Sequence, residues 1–304
     1  MNSSQARPAL PLSTPLEDGG GIADRRAAGH PARHPADVLT GCRVVETGHG
    51  WALAQMPLPM PSVPGPPSLG WLGALADVST AQAVAKAVGP NRGIRTVDLR
   101  LDSLGPVPVA GGIATGRAEL LHVDARTGLS QASLYGPDGE PFALCTARFI
   151  VLEADAGNAV EGLAASLEDD LLGRGAKWEA EQRLLAAALT PDTVRIEAGT
   201  ATMRMGVKAS MANHFGTMHG GLHVGLADLA LRTAAAGIAP GTSELLDISV
   251  SYYRPIKIAK ESSLILRGTV ERAGRRIVTA SCWVESESGV LLAGGHGTFS
   301  ALTD

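Results

Sequence analysis

The sequence predicts an α+β protein made of two similar halves, each with one apolar helix packed on an antiparallel sheet. Three observations predict it. The stretch Leu69–Ala83 (LGWLGALADVSTAQA) recurs as Gly220–Ala234 (GGLHVGLADLALRTA) with the Leu-Ala-Asp triplets superposed, placing Asp77 on Asp228 at an offset of 151 residues. After each of these stretches come segments that alternate apolar and polar residues with period two, the signature of strands buried on one face. Finally, the offset barely drifts along the chain: Asp98 falls on Asp247 and Pro106 on Pro255 at 149, and Phe149 on Phe299 at 150. A repeat this long fixes the architecture before any motif is weighed.

Taken in order, residues 1–36 are rich in Ala, Pro, Gly and Ser and show no period, which predicts a disordered tail. The first half then spans 37–153. Gly48 marks a turn before the strand WALAQMPL, and Gly199 marks the matching turn before TMRMGV, with no gap needed between there and the helices. Past the helix, Thr96–Pro106 (TVDLRLDSLGP) matches Glu244–Pro255 (ELLDISVSYYRP) as a strand. The remaining strands are joined by turns at Pro137–Gly139, Ala273–Gly274 and Glu287–Gly289. From Ala154 to about Asp192 the chain is charged and interrupted by Gly, giving a linker over 154–177 and helices leading into a second half over 178–304. Two antiparallel sheets, each wrapping one long central helix, are expected to pack as an intramolecular pseudo-dimer, with the sheet continuous across the pair.

Composition narrows the function. Hydrophobic residues at 45% and charged residues at 18% supply a core and exclude a disordered chain. With 26 Lys and Arg against 30 Asp and Glu, the net charge of −4 lacks the basic field that nucleic-acid binding requires, so no nucleic-acid partner is expected. The three cysteines, Cys42, Cys145 and Cys282, are far apart and form neither a disulfide framework nor a zinc knuckle. The N-terminus has no apolar run of signal-peptide type, and the most apolar stretch, Gly220–Pro240, contains His223, Asp228 and Arg232. A cytoplasmic protein without a membrane partner is the expectation. No Walker loop, serine elbow or dinucleotide fingerprint is present, and no cofactor is expected.

One segment carries chemistry. Asn213-His214-Phe215-Gly216-Thr217-Met218-His219-Gly220-Gly221 leads directly into the helix that holds Asp228, with Asn213 15 residues and His219 9 residues before that Asp. Glycines opening a helix present free N–H groups and the positive end of the helix dipole, with no Cβ to block close approach. Such a terminus can serve as an oxyanion hole for Gly220 and Gly221 to build. Asp228, about two turns further on among leucines, is poorly solvated and so a candidate base or nucleophile, as is Asp77 in the first half. Asn213 can orient a water, and the His219 imidazole can fix the loop.

The pattern N-x-x-G-T-x-H-G-G followed by an apolar helix with an acidic residue resembles the hotdog-fold acyl-CoA thioesterases of the phenylacetate-pathway and 4-hydroxybenzoyl-CoA type. Tyr253-Arg254-Pro255, the AGRRIV turn and the terminal GHGTF fit the same resemblance. It covers nearly all of the second half, and in the first half the helix, the sheet pattern and Asp77 but not the loop. It implies a tandem hotdog that hydrolyses an acyl-CoA, with the loop of one half facing the carboxylate of the other. Asn213, His219, Gly220 and Gly221 would then face Asp77 in a complete site. Asp228 would face the first-half loop, where the 151 offset puts Ser62 under Asn213, Ser68 under His219 and Leu69 under Gly220, an impaired site.

Arg254, Arg275 and Arg276, at a strand end and a hairpin turn, are candidates for the phosphates of coenzyme A, although paired arginines in a hairpin usually form a solvated turn. Gly220 and Gly221 can equally be a close-packing device for the helix. His219 and His223 share a helical spacing seen in metal sites but lack a third ligand, so no metal is expected. Two other functions compete with hydrolysis: a non-catalytic acyl-CoA binding module, and a hydratase or dehydratase of the same fold, whose His-Phe-Pro-Gly motif His214-Phe215-Gly216 matches only without its Pro. Any sheet edge left uncovered would allow two tandem chains to pair as a homodimer.

Overall fold

Alternation of the kind seen over Thr127–Tyr135, where every second residue is buried, marks the strands, six of which each half contains among the described residues. A computed structural model of the chain describes residues 34–58, 68–108, 112–153, 185–238 and 244–300. The first half contains α1 (Pro35–Thr40), β1 (Arg43–Gly48), β2 (Trp51–Pro57), α2 (Gly73–Val88), β3 (Gly93–Ser103), β4 (Ile113–Val123), β5 (Thr127–Tyr135) and β6 (Pro141–Leu152). The second contains β7 (Thr193–Glu197), β8 (Thr200–Gly206), α3 (Gly220–Ala236), β9 (Glu244–Tyr252), β10 (Ser263–Ala273), β11 (Ile277–Ser286) and β12 (Leu291–Ser300). The helix α1 begins at Pro35, inside the segment read as tail. Most of that tail and the linker at 154–177 lie outside the described residues.

All 12 strands belong to one sheet, ordered β1-β2-β4-β5-β6-β3-β9-β12-β11-β10-β8-β7. The order reads the same from either end once the halves are exchanged, so the repeat seen in the sequence is a structural repeat about the β3–β9 junction. The two half-sheets are thus one continuous sheet, as expected of the pseudo-dimer, rather than two separate ones. The antiparallel pairing of β3 with β9, from Asp98↔Ser251 to Asp102↔Asp247, merges them by satisfying what would otherwise be two exposed edges. The outer edges are β1 and β7, and every residue of β7 is exposed.

Sequence alignment without a gap is two residues out ahead of the helices. The positive-φ turn glycines are Gly50 and Gly199, both at 75°, at an offset of 149, whereas Ser68 and His219, and with them Asp77 and Asp228, keep the 151 offset. The stretch from the end of β8 to His219 is therefore two residues longer than that from the end of β2 to Ser68, and it carries the Asn213–His219 loop.

Each helix is enclosed by the sheet and by the other helix, which is why 10 of the 16 residues of α2 and 12 of the 17 of α3 are buried. Phe149 and Phe299, the repeat-related aromatics of β6 and β12, are buried in the core with Leu99, Leu101 and Ile248. The helices meet through Gly73 and Gly221: a Cβ on Gly73 would run into the Gly221 carbonyl oxygen and Val224, and one on Gly221 into the backbone of Gly73 and Ala74. No helix among the described residues is long and apolar enough to cross a membrane.

Gly73→Ala tests this contact. Alanine gains about 1 kcal/mol of helix propensity over glycine, but its methyl meets backbone that cannot rotate away, and overpacking of that kind costs about 1–3 kcal/mol. The expected outcome is a net loss of stability in denaturant unfolding, where propensity alone would give a gain.

Candidate active site

The loop before α3 is shaped by its own side chains. The Oδ1 atom of Asn213 accepts hydrogen bonds from the Phe215 N–H at 2.9 Å, the Thr217 N–H at 3.2 Å and the Thr217 hydroxyl at 3.1 Å, folding the chain into an Asx turn. Gly216 sits at φ 68°, a left-handed conformation that suits glycine. The Met218 N–H donates to the Ile256 carbonyl at 2.8 Å, and the Ile258 N–H to that of Gly216 at 3.1 Å, fastening the loop to the segment after β9. His219 then caps α3: its Nδ1 accepts from the Gly221 N–H at 3.0 Å.

The helix crossing delivers the first-half carboxylate to this terminus. Asp77, 5% exposed, accepts from the Gly221 N–H at 3.1 Å through Oδ2 and from the Thr96 hydroxyl at 2.8 Å through Oδ1. His219 Nδ1 lies 3.5 Å from the same Oδ2. A Cβ on Gly220 would come within 2.6 Å of that oxygen. Asp77, His219, Gly220 and Gly221, chosen from sequence, are thus brought together across the two halves.

Two roles change. The Gly221 N–H is engaged by Asp77 and His219, so of the two glycines expected from sequence to donate to an oxyanion only Gly220, which as the first helical residue has no acceptor within the helix, is left for that part. Gly221 serves the helix packing instead. For Asn213, Oδ1 is spent on the loop, which leaves its NH2 group to meet a water or a substrate oxygen.

Sequence reasoning missed two residues here. Thr96 holds Asp77, and the repeat carries the signal: at the 149 offset its counterpart is Leu245, so the hydroxyl occurs in one half only. Tyr252 donates its hydroxyl to the Gly220 carbonyl at 2.8 Å, so the Gly220–Gly221 peptide is held at its C=O by Tyr252 and at its N–H by Asp77. Nothing in a strand-end tyrosine announces that.

At the other end, Asp228 is equally buried but differently occupied. Arg232, one turn on, donates Nε–H to Oδ1 at 2.7 Å, and the Ser68 hydroxyl donates to Oδ2. Ser68 thus stands where His219 stands in the repeat, and the position of Arg232 on α2 is filled by Ala81. Asp228 is ion-paired on its own helix, whereas Asp77 meets no Arg or Lys among the described residues. Ser62 lies outside the described residues.

The arginines separate in the same way. Arg254 follows Tyr252 closely and is exposed at the Asp77 end of β9. Arg275 and Arg276 adjoin Ile277, which pairs with Ser300, which pairs with Glu244. Eight strand residues, about 26 Å, separate Glu244 from Tyr252. The hairpin pair therefore lies toward the Asp228 end, apart from Arg254. At the Asp77 end the first half instead supplies Arg95, whose guanidinium lies 5.2 Å from the centre of the Phe215 ring.

Residues 215–293 match the thioesterase superfamily family model. No curated protein matches the sequence significantly. Among solved structures, the tesB protein of Mycobacterium avium subspecies paratuberculosis is 12% identical with a TM-score of 0.58, covering 88% of this chain and 98% of its own. A protein of unknown function with a hotdog fold from Alicyclobacillus acidocaldarius is 13% identical with a TM-score of 0.56, covering 90% of this chain and 100% of its own.

His223 gives the site a pH signature. It is buried beneath the loop, with Nδ1 3.1 Å from the His219 carbonyl, and burial lowers its pKa from the ordinary 6.5 to about 4. The unfolded chain therefore takes up this proton first on acidification. The stability from holding His223 neutral is complete above about pH 6.5, is lost between there and pH 4, and amounts to about 3 kcal/mol. Urea unfolding at pH 7 and pH 4.5 is expected to show a smaller acid loss in His223→Gln than in the parent chain. The described residues thus share the hotdog fold of these neighbours, and residues 215–293 match the thioesterase superfamily model.

Proposed function

We propose that the chain hydrolyses acyl-CoA thioesters at one composite site formed by Asp77 of the first half and the N-terminus of α3 in the second. The observation that carries this reading is the difference between the two aspartates: Asp77 sits against an open helix terminus, while Asp228 is held by Arg232 and Ser68. In this reading the thioester carbonyl lies against the Gly220 N–H, which stabilises the negative charge that develops on its oxygen. Asp77 acts as base or nucleophile. As a base it takes a proton from water while the hydroxide adds to the carbonyl; the C–S bond then breaks, and the leaving thiolate recovers the proton. As a nucleophile its carboxylate oxygen displaces the thiolate to give a mixed anhydride, which water opens to the acid and the original carboxylate. The Thr96 hydroxyl orients the carboxylate in either case, and Arg254 at the mouth offers a cation to the phosphates of coenzyme A. Asp228 serves as a buried structural ion pair, so the second composite site is silent.

Free thiol release from a panel of acyl-CoAs tests this. Asp77→Asn is expected to lower turnover at least about a thousandfold. Asp228→Asn is expected to leave turnover within about tenfold while lowering stability, because it leaves Arg232 partly buried without its counter-charge. Equal losses from both variants would overturn the single-site reading. Saturable acyl-CoA binding without thiol release would make the chain a binding module.

A further inference from the structure

We propose that Asp37, in the first turn of α1, is a positioning residue for the Asp77 site that acts by selecting the tautomer of His219. The proposal rests on the reading of Asp77 as the proton acceptor or nucleophile. The Gly221 N–H donates to His219 Nδ1 at 3.0 Å, so Nδ1 presents a lone pair and a neutral ring carries its proton on Nε2. That Nε2 faces Asp37 Oδ1 at 3.8 Å, and the two side chains are only 9% and 18% exposed.

The carboxylate is itself held in place. Its Oδ2 accepts the His34 N–H at 3.2 Å, closing the cap of α1. The helix is fixed to the catalytic loop by the Ala36 N–H donating to the Ala212 carbonyl at 3.0 Å and by the His34 ring stacked on His214 with centroids 4.7 Å apart.

The other tautomer defeats the site. A proton on Nδ1 would collide with the Gly221 N–H and point at Asp77 Oδ2, 3.5 Å away, occupying the oxygen that must take the proton from water or attack the carbonyl. By setting a carboxylate 3.8 Å from Nε2, Asp37 favours the proton there, keeps Nδ1 an acceptor and leaves Asp77 available. The ionisable groups around the His219 ring are Asp37, Asp77, His34 and His223. Among these, Asp37 is the acceptor facing Nε2.

The test has two arms on the full chain. Long-range 1H–15N correlation of the histidine rings is expected to show the Nε2–H form of His219 in the parent chain and a shift toward Nδ1–H in Asp37→Ala, with Asp37→Asn, which retains an acceptor oxygen, restoring the parent pattern. This arm needs no turnover. In thiol release, Asp37→Ala is expected to lower kcat about tenfold to a hundredfold with KM nearly unchanged. In a His219→Asn background, where Asn still caps α3 but offers no Nε2–H, Asp37→Ala is expected to cost nothing further. An Nδ1–H parent ring, an unchanged ring in Asp37→Ala, or losses that multiply in the double variant would each overturn the proposal. A parent chain that turns over no thioester would instead overturn the hydrolase reading, and the tautomer arm would still decide the role of Asp37.

Discussion

The close approach of α2 and α3 through Gly73 and Gly221 is the constraint on which the site depends. Two helices normally pack at 8–10 Å with side chains between them; here backbone lies against backbone. Only at that separation does a short aspartate side chain on one helix reach the first free N–H groups of the other. Any bulk at the crossing would withdraw Asp77 from α3 and break the Gly221–Asp77 hydrogen bond as well as the packing. Stability and site geometry therefore share one contact, and the glycine pair serves both.

Much of this was legible in the sequence because a repeat constrains itself. Two copies of Leu-Ala-Asp at a nearly fixed offset disclosed the helices and the strand sets, and the resemblance to hotdog thioesterases implied the pairing of one half's carboxylate with the other's loop. What escaped notice had physical reasons. That β3 is the strand that meets β9, in the register Asp98↔Ser251 to Asp102↔Asp247, is a contact between strands far apart in sequence. The two-residue gap before the helices is invisible to an alignment anchored on glycines, since Gly48 and Gly50 look alike as letters and only the second has positive φ. Engagement of the Gly221 N–H follows from the helix crossing, which no single-segment pattern encodes. The arginines were named for phosphates by residue type alone, and only strand direction separates the hairpin pair from Arg254 along the sheet.

The two ends of the helix pair show how little is needed to separate two roles on one scaffold. In each half a buried aspartate faces the start of the opposite helix. At one end its partners are a backbone N–H, a hydroxyl and an imidazole, and at the other a hydroxyl and a guanidinium. Because a single chain carries both halves, no symmetry requires the two faces to match, as it would in a dimer of identical subunits. Arg232 and Ser68 can fill one end without touching the other.

The β3–β9 junction has a consequence for how the chain is made. Strand β3 leaves the ribosome long before β9 exists, and until β9 arrives the first half exposes an unpaired edge together with the Gly73 face of α2. A nascent chain in that state has two routes to satisfaction: it can wait for its own second half, or it can pair with another unfinished copy. The same contact that completes the finished protein is thus the point at which its synthesis is most open to misassembly.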